Sequence, residues 1–353
     1  MIFAVTRYRY KKMKIDLYTP AGWINVHAIA ERPTWLKVFI GIRQSGKTYG
    51  VLLHHLINAI PFILMRRTTD ELNFIADNEE YDPFKKFEPA YHVRIATRNK
   101  SRVIADIDNE GKILEGGKTY GVALSLPQIA HIRGFDASNY DSLVFDEFVP
   151  EKGVRVLHTE GDMLLNAYTT ISGNRELEGK PPLTLWMLAN TNNINSPILD
   201  ALDLTDEIIK MKSRGTEYAE LDGVSIFYGK SEQIAEKRKQ TVLAKRVKPT
   251  SNFAQMAYNN EWAYDESPVI RTRSLKGMTP LCSYDQLYFW EDAAGIYCCG
   301  SVHRTERYND NDFERAQFTS NYRWLLRWYA EGLVNFANIR QLAIFKRIFA
   351  IDY

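Results

Sequence analysis

Short runs of apolar, β-branched and aromatic residues punctuate the first two hundred positions: Trp35–Ile40, Phe62–Met65, Leu143–Phe145 and Leu183–Leu188. Each has the length and richness of a buried strand. From Lys47 to Ile60 there is no proline, and Val51, Leu52, His55, Leu56 and Ile60 recur at helical spacing until Pro61 stops the pattern. A second helix is predicted at about 161–172. Strand-like and helical runs in alternation predict an α/β fold, with a mostly parallel sheet and crossover helices, over residues 1–205. Between 93 and 126 the pattern changes. Val93–Thr97, Arg102–Ile107 and Tyr120–Leu126 alternate, with Asn109-Glu-Gly111 and Gly116-Gly117 as turns, which predicts an antiparallel insertion at a sheet edge. Residues 206–262 are polar and basic and read as a helical linker or lid. Residues 263–353 predict a small α+β domain. There Gln286–Trp290 and Gly295–Cys299 flank a hairpin turn, and helices follow at about 311–332 and 336–350.

The chemistry enters between the first strand and the first long helix. Gly41-Ile-Arg-Gln-Ser-Gly46-Lys47-Thr48 satisfies the phosphate-loop pattern at every position. Gly41, Arg43, Gln44, Ser45 and Gly46 supply a loop whose backbone N–H groups turn toward phosphate oxygens. Lys47 reaches the outer phosphates, and Thr48 offers a hydroxyl to Mg²⁺. The strand before it and the helix after it are the context such a loop needs, because the anion then meets a helix N-terminus. The buried run Leu143-Val-Phe145 ends in Asp146-Glu147. At the carboxyl edge of a parallel sheet, where ligands of open α/β folds bind, Asp146 is placed to hold Mg²⁺. The adjacent Glu147 is placed to orient and deprotonate water. An Asp-Glu strand end suits hydrolysis, whereas a kinase must exclude water.

Composition narrows the setting. Of the 353 residues 45% are hydrophobic and 25% charged, which is ordinary for a globular chain of about two domains. Cys282, Cys298 and Cys299 fit neither a zinc spacing nor a disulfide framework, so a reducing compartment is expected. No apolar run approaches the length of about 18 residues that spans a membrane, and Met1–Val5 is too short for a signal-peptide core. A soluble, intracellular protein is expected. The net charge is only +2, but its distribution is uneven. Arg7, Arg9, Lys11, Lys12 and Lys14 crowd the start, and Lys230, Lys237, Arg238, Lys239, Lys245, Arg246 and Lys248 form a second cluster. Such clusters are the footprint of phosphate-backbone contacts, and equally of a solvated helix face.

In motif content and order the chain resembles the DNA-packaging ATPases of phi29-like tailed bacteriophages, relatives of terminase large subunits and members of the ASCE class of P-loop motors. The likeness runs across most of the chain. It rests on Arg43 inside the phosphate loop, Met65-Arg-Arg-Thr-Thr-Asp-Glu-Leu72, Val144-Phe-Asp-Glu-Phe148, Gly173-Asn-Arg175, and Leu188-Ala-Asn190 followed by Asn195-Ser-Pro197. Glu236-Lys-Arg-Lys239 and the tail from Asn338 to Phe349 extend it. The resemblance implies an ATP- and Mg²⁺-dependent motor that moves double-stranded DNA into a preformed capsid. It implies a homopentameric ring on the portal vertex, scaffolded by a packaging RNA, in the host cytoplasm and away from any membrane. It gives Arg43 a role in cis on the phosphates or as a switch that follows nucleotide state, Arg175 that of a finger reaching a neighbouring subunit, and Asn190 that of a γ-phosphate sensor or water-positioning group. Arg133 falls at a position tied to DNA contact and control of the catalytic glutamate, although its flanking residues differ.

The sequence also departs from the family pattern. The lead-in before the first strand is longer, and Thr69 stands where some members have lysine. The densest C-terminal acids, Glu291, Asp292, Asp310, Asp312 and Glu314, cluster in turns rather than at separate strand ends. Terminases usually attach a nuclease, so the resemblance implies a nuclease-like, vestigial RNase H-like domain here; acids so placed argue against two-metal chemistry, and the domain is expected to serve nucleic-acid and capsid contacts. Two competing readings share the phosphate loop: another P-loop nucleic-acid motor, such as a helicase or phage assembly ATPase, and a structural nucleic-acid-binding ring gated by nucleotide. A GTPase is disfavoured because Asn99-Lys-Ser-Arg102 lacks the base-reading aspartate.

Overall fold

The computed structural model describes residues 15–131, 137–150, 154, 156–157, 159–190, 196–229, 231–248, 251, 254, 268–270 and 272–351. The chain divides into two compact units. The first comprises 1–150, 159–192 and 210–263, and the second 151–158, 193–209 and 264–353.

In the first unit the strands are β1 (Leu36–Gly41), β2 (Phe62–Arg66), β3 (Val93–Arg98), β4 (Ser101–Asp106), β5 (Thr119–Ser125), β6 (Ser142–Asp146), β7 (Thr184–Asn190), β8 (Tyr218–Leu221) and β9 (Val224–Gly229). They form one sheet in the order β3-β4-β5-β2-β6-β7-β1-β9-β8. Six neighbouring strands, from β5 to β9, run parallel. The two edges are antiparallel. The central strands are apolar on both faces because helices cover both, as parallel sheets require; all six residues of β1 are buried.

Helix α1 (Val26–Ala30) precedes β1, α2 (Lys47–Ile57) follows it and α3 (Thr69–Asp77) follows β2. Helix α2 docks through Val51, Leu52, His55 and Leu56, each fully buried aliphatic contributing about 1.5–3 kcal/mol. Helix α3 begins with a capping box, Thr68 and Glu71 each satisfying the other's backbone N–H. Helices α4 (Leu126–His131) and α5 (Glu160–Ser172) follow β5 and β6.

Two features differ from the sequence expectation. Residues 206–262, expected as a helical linker, contribute β8 and β9 to the large sheet, joined by a two-residue turn at Asp222-Gly223 with φ of 31° and 83°. An Asp-Gly pair between alternating residues is the strongest short-range hairpin signal, and it was outweighed by the surrounding charge. Residues 193–209 belong with the C-terminal unit. In that unit α6 (Pro197–Ala201) and the start of α7 (Thr205–Arg214) are tied by Asp200 to Arg347 and by Asp206 to Arg340.

The second unit holds β10 (Thr279–Tyr284), β11 (Leu287–Asp292), β12 (Gly295–Cys299), β13 (Glu306–Tyr308) and β14 (Val334–Phe336), in the order β13-β10-β11-β12-β14. The predicted hairpin is β11–β12. The predicted helices are present, the first broken in two. Numbered after α8 (Glu232–Lys239) of the first unit, they are α9 (Asp312–Asn321), α10 (Trp324–Ala330) and α11 (Ile339–Ile348). Phe289, Phe318, Phe336 and Phe345 fill the core with buried Cys282 and Cys298. The thiols are free and their burial raises their pKa, so they pack rather than react.

Candidate active site

The sheet order places the phosphate loop and the acidic pair on the same edge with one strand between them. Strand β7 pairs with β1 on one side and β6 on the other. In register, Gly41 lies opposite Asn190 and Asp146 opposite Leu188. Three strand ends therefore deliver Gly41, Asn190 and Asp146 to a common rim.

The loop needs its glycines. Gly46 sits at φ 89°, a left-handed conformation, and a Cβ there would stand 3.4 Å from the Trp23 ring. A Cβ at Gly41 would approach the Gly229 carbonyl of β9 to 2.8 Å. Gln44 is also left-handed, at φ 56°. Lys47 opens α2 and is buried; its Nζ donates to the carbonyls of Gly41 (3.1 Å) and Ile42 (2.8 Å), to Ser45 Oγ (3.3 Å) and to Asn190 Oδ1 (3.1 Å). Burial lowers its pKa to about 7; Arg238 and Arg43 add to the effect, while Asp146 and Glu147 oppose it.

Thr48 Oγ1 donates to Asp146 Oδ1 at 2.9 Å. A hydroxyl beside a carboxylate is the hard oxygen pair that a Mg²⁺ shell takes, so the donor set fits that ion. Asp146 is also held by Arg66, whose Nη1 donates to Oδ2 at 2.8 Å. The same guanidinium reaches Glu147, Nη2 to Oε2 at 2.7 Å. Glu147 stands at φ 56°, uncommon for a residue with a side chain, and its carboxylate is half-exposed. Burial of its inner part raises its pKa; repulsion from Asp146 and Glu71 adds to this, and Arg66 opposes it. Arg67 is buried against Glu160 (2.9 Å) and Glu71 (3.3 Å). The double arginine thus joins β2 to the acidic pair and to α5. The sequence carried Arg66 only as part of a motif; its role as a clamp follows from the pairing of β2 with β6.

Gly41, Arg43, Gln44, Ser45, Gly46, Lys47, Thr48, Asp146, Glu147 and Asn190 belong to one site. Arg175 does not join it within its own chain. Its guanidinium is buried and donates to the carbonyls of Pro181 and Tyr140 and to Asp141 Oδ1 (2.7 Å). Asp141 precedes β6 at the opposite end of the strand from Asp146, roughly 16 Å away at about 3.3 Å per residue. Arg238 also departs from expectation: it donates from Nη1 to the carbonyl of Arg43 at 2.7 Å, whereas Lys237, Lys239, Lys245 and Arg246 are exposed. Arg133 and Arg7–Lys14 lie outside the described residues.

A cavity of about 810 Å³ adjoins the loop at Gln44 and Gly46, lined also by Trp23, Val26, His27, Tyr49, Leu53 and His54. In the C-terminal unit three of the candidate acids have structural partners: Asp292 accepts from Arg273, Asp310 accepts from Tyr284 and Arg315, and Glu314 accepts from the side chains of Asn309 and of Asn311, the N-cap of α9. Among the described residues no three His, Cys, Asp or Glu side chains converge as a metal site.

The profile of the podovirus DNA encapsidation protein (Gp16) family matches residues 21–279. Solved structures share the fold. The Phi-28 gp11 DNA packaging motor aligns with a TM-score of 0.59 at 15% identity, covering 96% of this chain and 99% of that one. The bacteriophage Phi-29 viral genome packaging motor assembly aligns at 0.57 and 18%, covering 92% and 99%. No curated protein matches the chain. With a family profile spanning well over half its length and the phosphate loop assembled against Asp146 and Glu147, the chain belongs to the podovirus DNA encapsidation proteins of the Gp16 family.

Proposed function

We propose that this chain is an ATPase that threads double-stranded DNA into a preformed capsid as a homo-oligomeric ring, a pentamer, seated on the portal vertex with a packaging RNA. The observation that carries the catalytic part is the meeting of Lys47, Thr48, Asp146, Glu147 and Asn190 at one sheet edge. Likeness to two packaging-motor structures supports the assembly.

The residues divide the work. Backbone N–H groups from Gly41 to Thr48 and the N-terminus of α2 receive the phosphates. Lys47 exchanges its carbonyl partners for phosphate oxygens, a stronger charge-assisted bond. Thr48 and Asp146 hold Mg²⁺, which when bound neutralises phosphate charge and orients the chain of phosphates. Glu147 aligns water and takes its proton, its reach limited by Arg66. Asn190, bonded to Lys47, registers the outer phosphate, and Arg43 adds a cation in cis. The cavity lined by Trp23 and Tyr49 would receive the base and ribose.

Arg175 acts on the neighbouring copy's nucleotide. To do so it must leave its three oxygen partners, a cost of several kcal/mol at about 1.5–3 kcal/mol per charged hydrogen bond, so finger insertion is coupled to a rearrangement at Tyr140-Asp141.

Nucleotide binding and turnover of two variants test the core. Lys47→Ala should lose nucleotide affinity. Glu147→Gln should bind ATP normally yet lose about 10²–10⁴ in kcat. Full turnover in Glu147→Gln would sink the assignment. For the finger, rings mixed from Arg175→Ala and Glu147→Gln subunits should regain turnover at intermediate ratios; flat activity at every ratio counts against action in trans.

A further inference from the structure

Helix α8 carries a run of basic residues, yet its geometry separates them. It follows β9, the parallel neighbour of β1, and so starts on the edge that holds the phosphate loop. Ser231 caps it by accepting from the Ile234 N–H at 3.3 Å. Ile234 and Ala235 are buried against Ile42 of the loop itself. One turn beyond Ile234, on the same face, Arg238 donates to the Arg43 carbonyl at 2.7 Å. Lys237 and Lys239 point away and are exposed, Lys239 pairing with Glu236 at 2.7 Å.

A phosphate loop binds anions because its N–H groups face inward, and a carbonyl that swung toward the phosphates would repel them. A guanidinium fixed to the carbonyl in mid-loop opposes that rotation. It also adds positive potential: Arg238 and Arg43 both act on Lys47.

We propose that Arg238 is a positioning residue of the nucleotide site, pinning the Arg43 carbonyl, rather than a DNA contact, and that through it α8 follows the state of the phosphate loop. This rests on the ATPase reading above. DNA contact from this helix then falls to its outward lysines.

The experiment uses the full-length protein, a fluorescent ATP analogue, steady-state ATPase kinetics and anisotropy with a short DNA duplex. Arg238→Ala should raise KM and the analogue's Kd by about tenfold, an effect of one lost charged hydrogen bond, with a smaller change in kcat. Arg238→Lys, which keeps a donor, should recover part of the loss. Lys237→Ala should lower duplex affinity more than Arg238→Ala does. Unchanged KM with weakened duplex binding in Arg238→Ala would overturn the inference. So would a KM increase that Arg238→Lys does not relieve and that is matched by an equal fall in both variants' melting temperatures. If Lys47→Ala binds the analogue like the unaltered chain, the ATPase reading itself fails. If Lys47→Ala loses binding and Arg238→Ala does not, only the role of Arg238 fails.

Discussion

Arg66 is the residue on which the acidic pair depends. Without it, two adjacent carboxylates would face each other at a half-buried rim. Its own Nε is buried with no partner among the described atoms, so the guanidinium's favourable contacts are concentrated on Asp146 and Glu147. Removing one member of a buried ion pair costs about 3–5 kcal/mol. Arg66→Ala should therefore lower the urea midpoint by a corresponding amount and reduce turnover. Arg66→Lys should regain only part of either, since one ammonium cannot reach both carboxylates as a planar fork does. Equal stability in Arg66→Ala would show that the pair needs no clamp. The left-handed Glu147 adds to the strain held at this rim.

Helix α2 carries the end of the phosphate loop, and His55 ties it to the sheet. Its Nδ1 donates to the Val51 carbonyl (2.7 Å), which leaves Nε2 to accept from the Ser142 hydroxyl (2.8 Å) at the start of β6. Burial lowers its pKa to about 3 from 6.5. The folded chain thus refuses a proton that the unfolded chain accepts. The contribution of neutral His55 is complete above pH 6.5 and is lost as pH falls toward 3. Each pH unit in that window removes up to about 1.4 kcal/mol. Urea midpoints should fall between pH 7 and pH 4, with a shallower slope in His55→Gln; equal slopes would reject the assignment. At this scale much was legible beforehand. β1, β2, β6, β7, α2 and α5 stand out because burial on both faces leaves uninterrupted apolar runs, or a single stripe, that period alone identifies. β8 escaped because an edge strand of four residues carries little periodic signal, and β9, although it lies between β1 and β8, follows it inside a polar, basic stretch. The phosphate loop and Asp146-Glu147 were readable because their chemistry is local in sequence. The Arg66 clamp and Arg238 were not, since each depends on which strands become neighbours.

For the whole molecule, the exposed basic cluster at Lys237, Lys239, Lys245 and Arg246 is the DNA grip that the proposed function implies. A motor must pass every sequence, so its grip falls on phosphates. Affinity for duplex DNA should fall steeply with salt, the logarithmic slope being about 0.9 per phosphate contacted. Lys245→Ala with Arg246→Ala should reduce that slope by up to about 2, as measured by anisotropy from low to moderate salt. An unchanged slope would place the DNA path elsewhere. In the second unit Asp292, Asp310 and Glu314 are engaged near hairpin and helix ends, and we propose that this unit binds nucleic acid or capsid without cleaving DNA. Plasmid cutting that depends on Asp292, Asp310 or Glu314 would contradict this.

The seating of β9 against β1 also governs how the protein can be dissected. Six backbone pairs, Leu36–Gly41 with Val224–Gly229, close that flank of the strand leading into the phosphate loop. A truncation after position 205, where composition changes, would strip them away and bare an apolar ribbon ready to zip onto another copy. Such a fragment should precipitate or self-associate, whereas one carried through residue 263 keeps the flank closed and should remain dispersed.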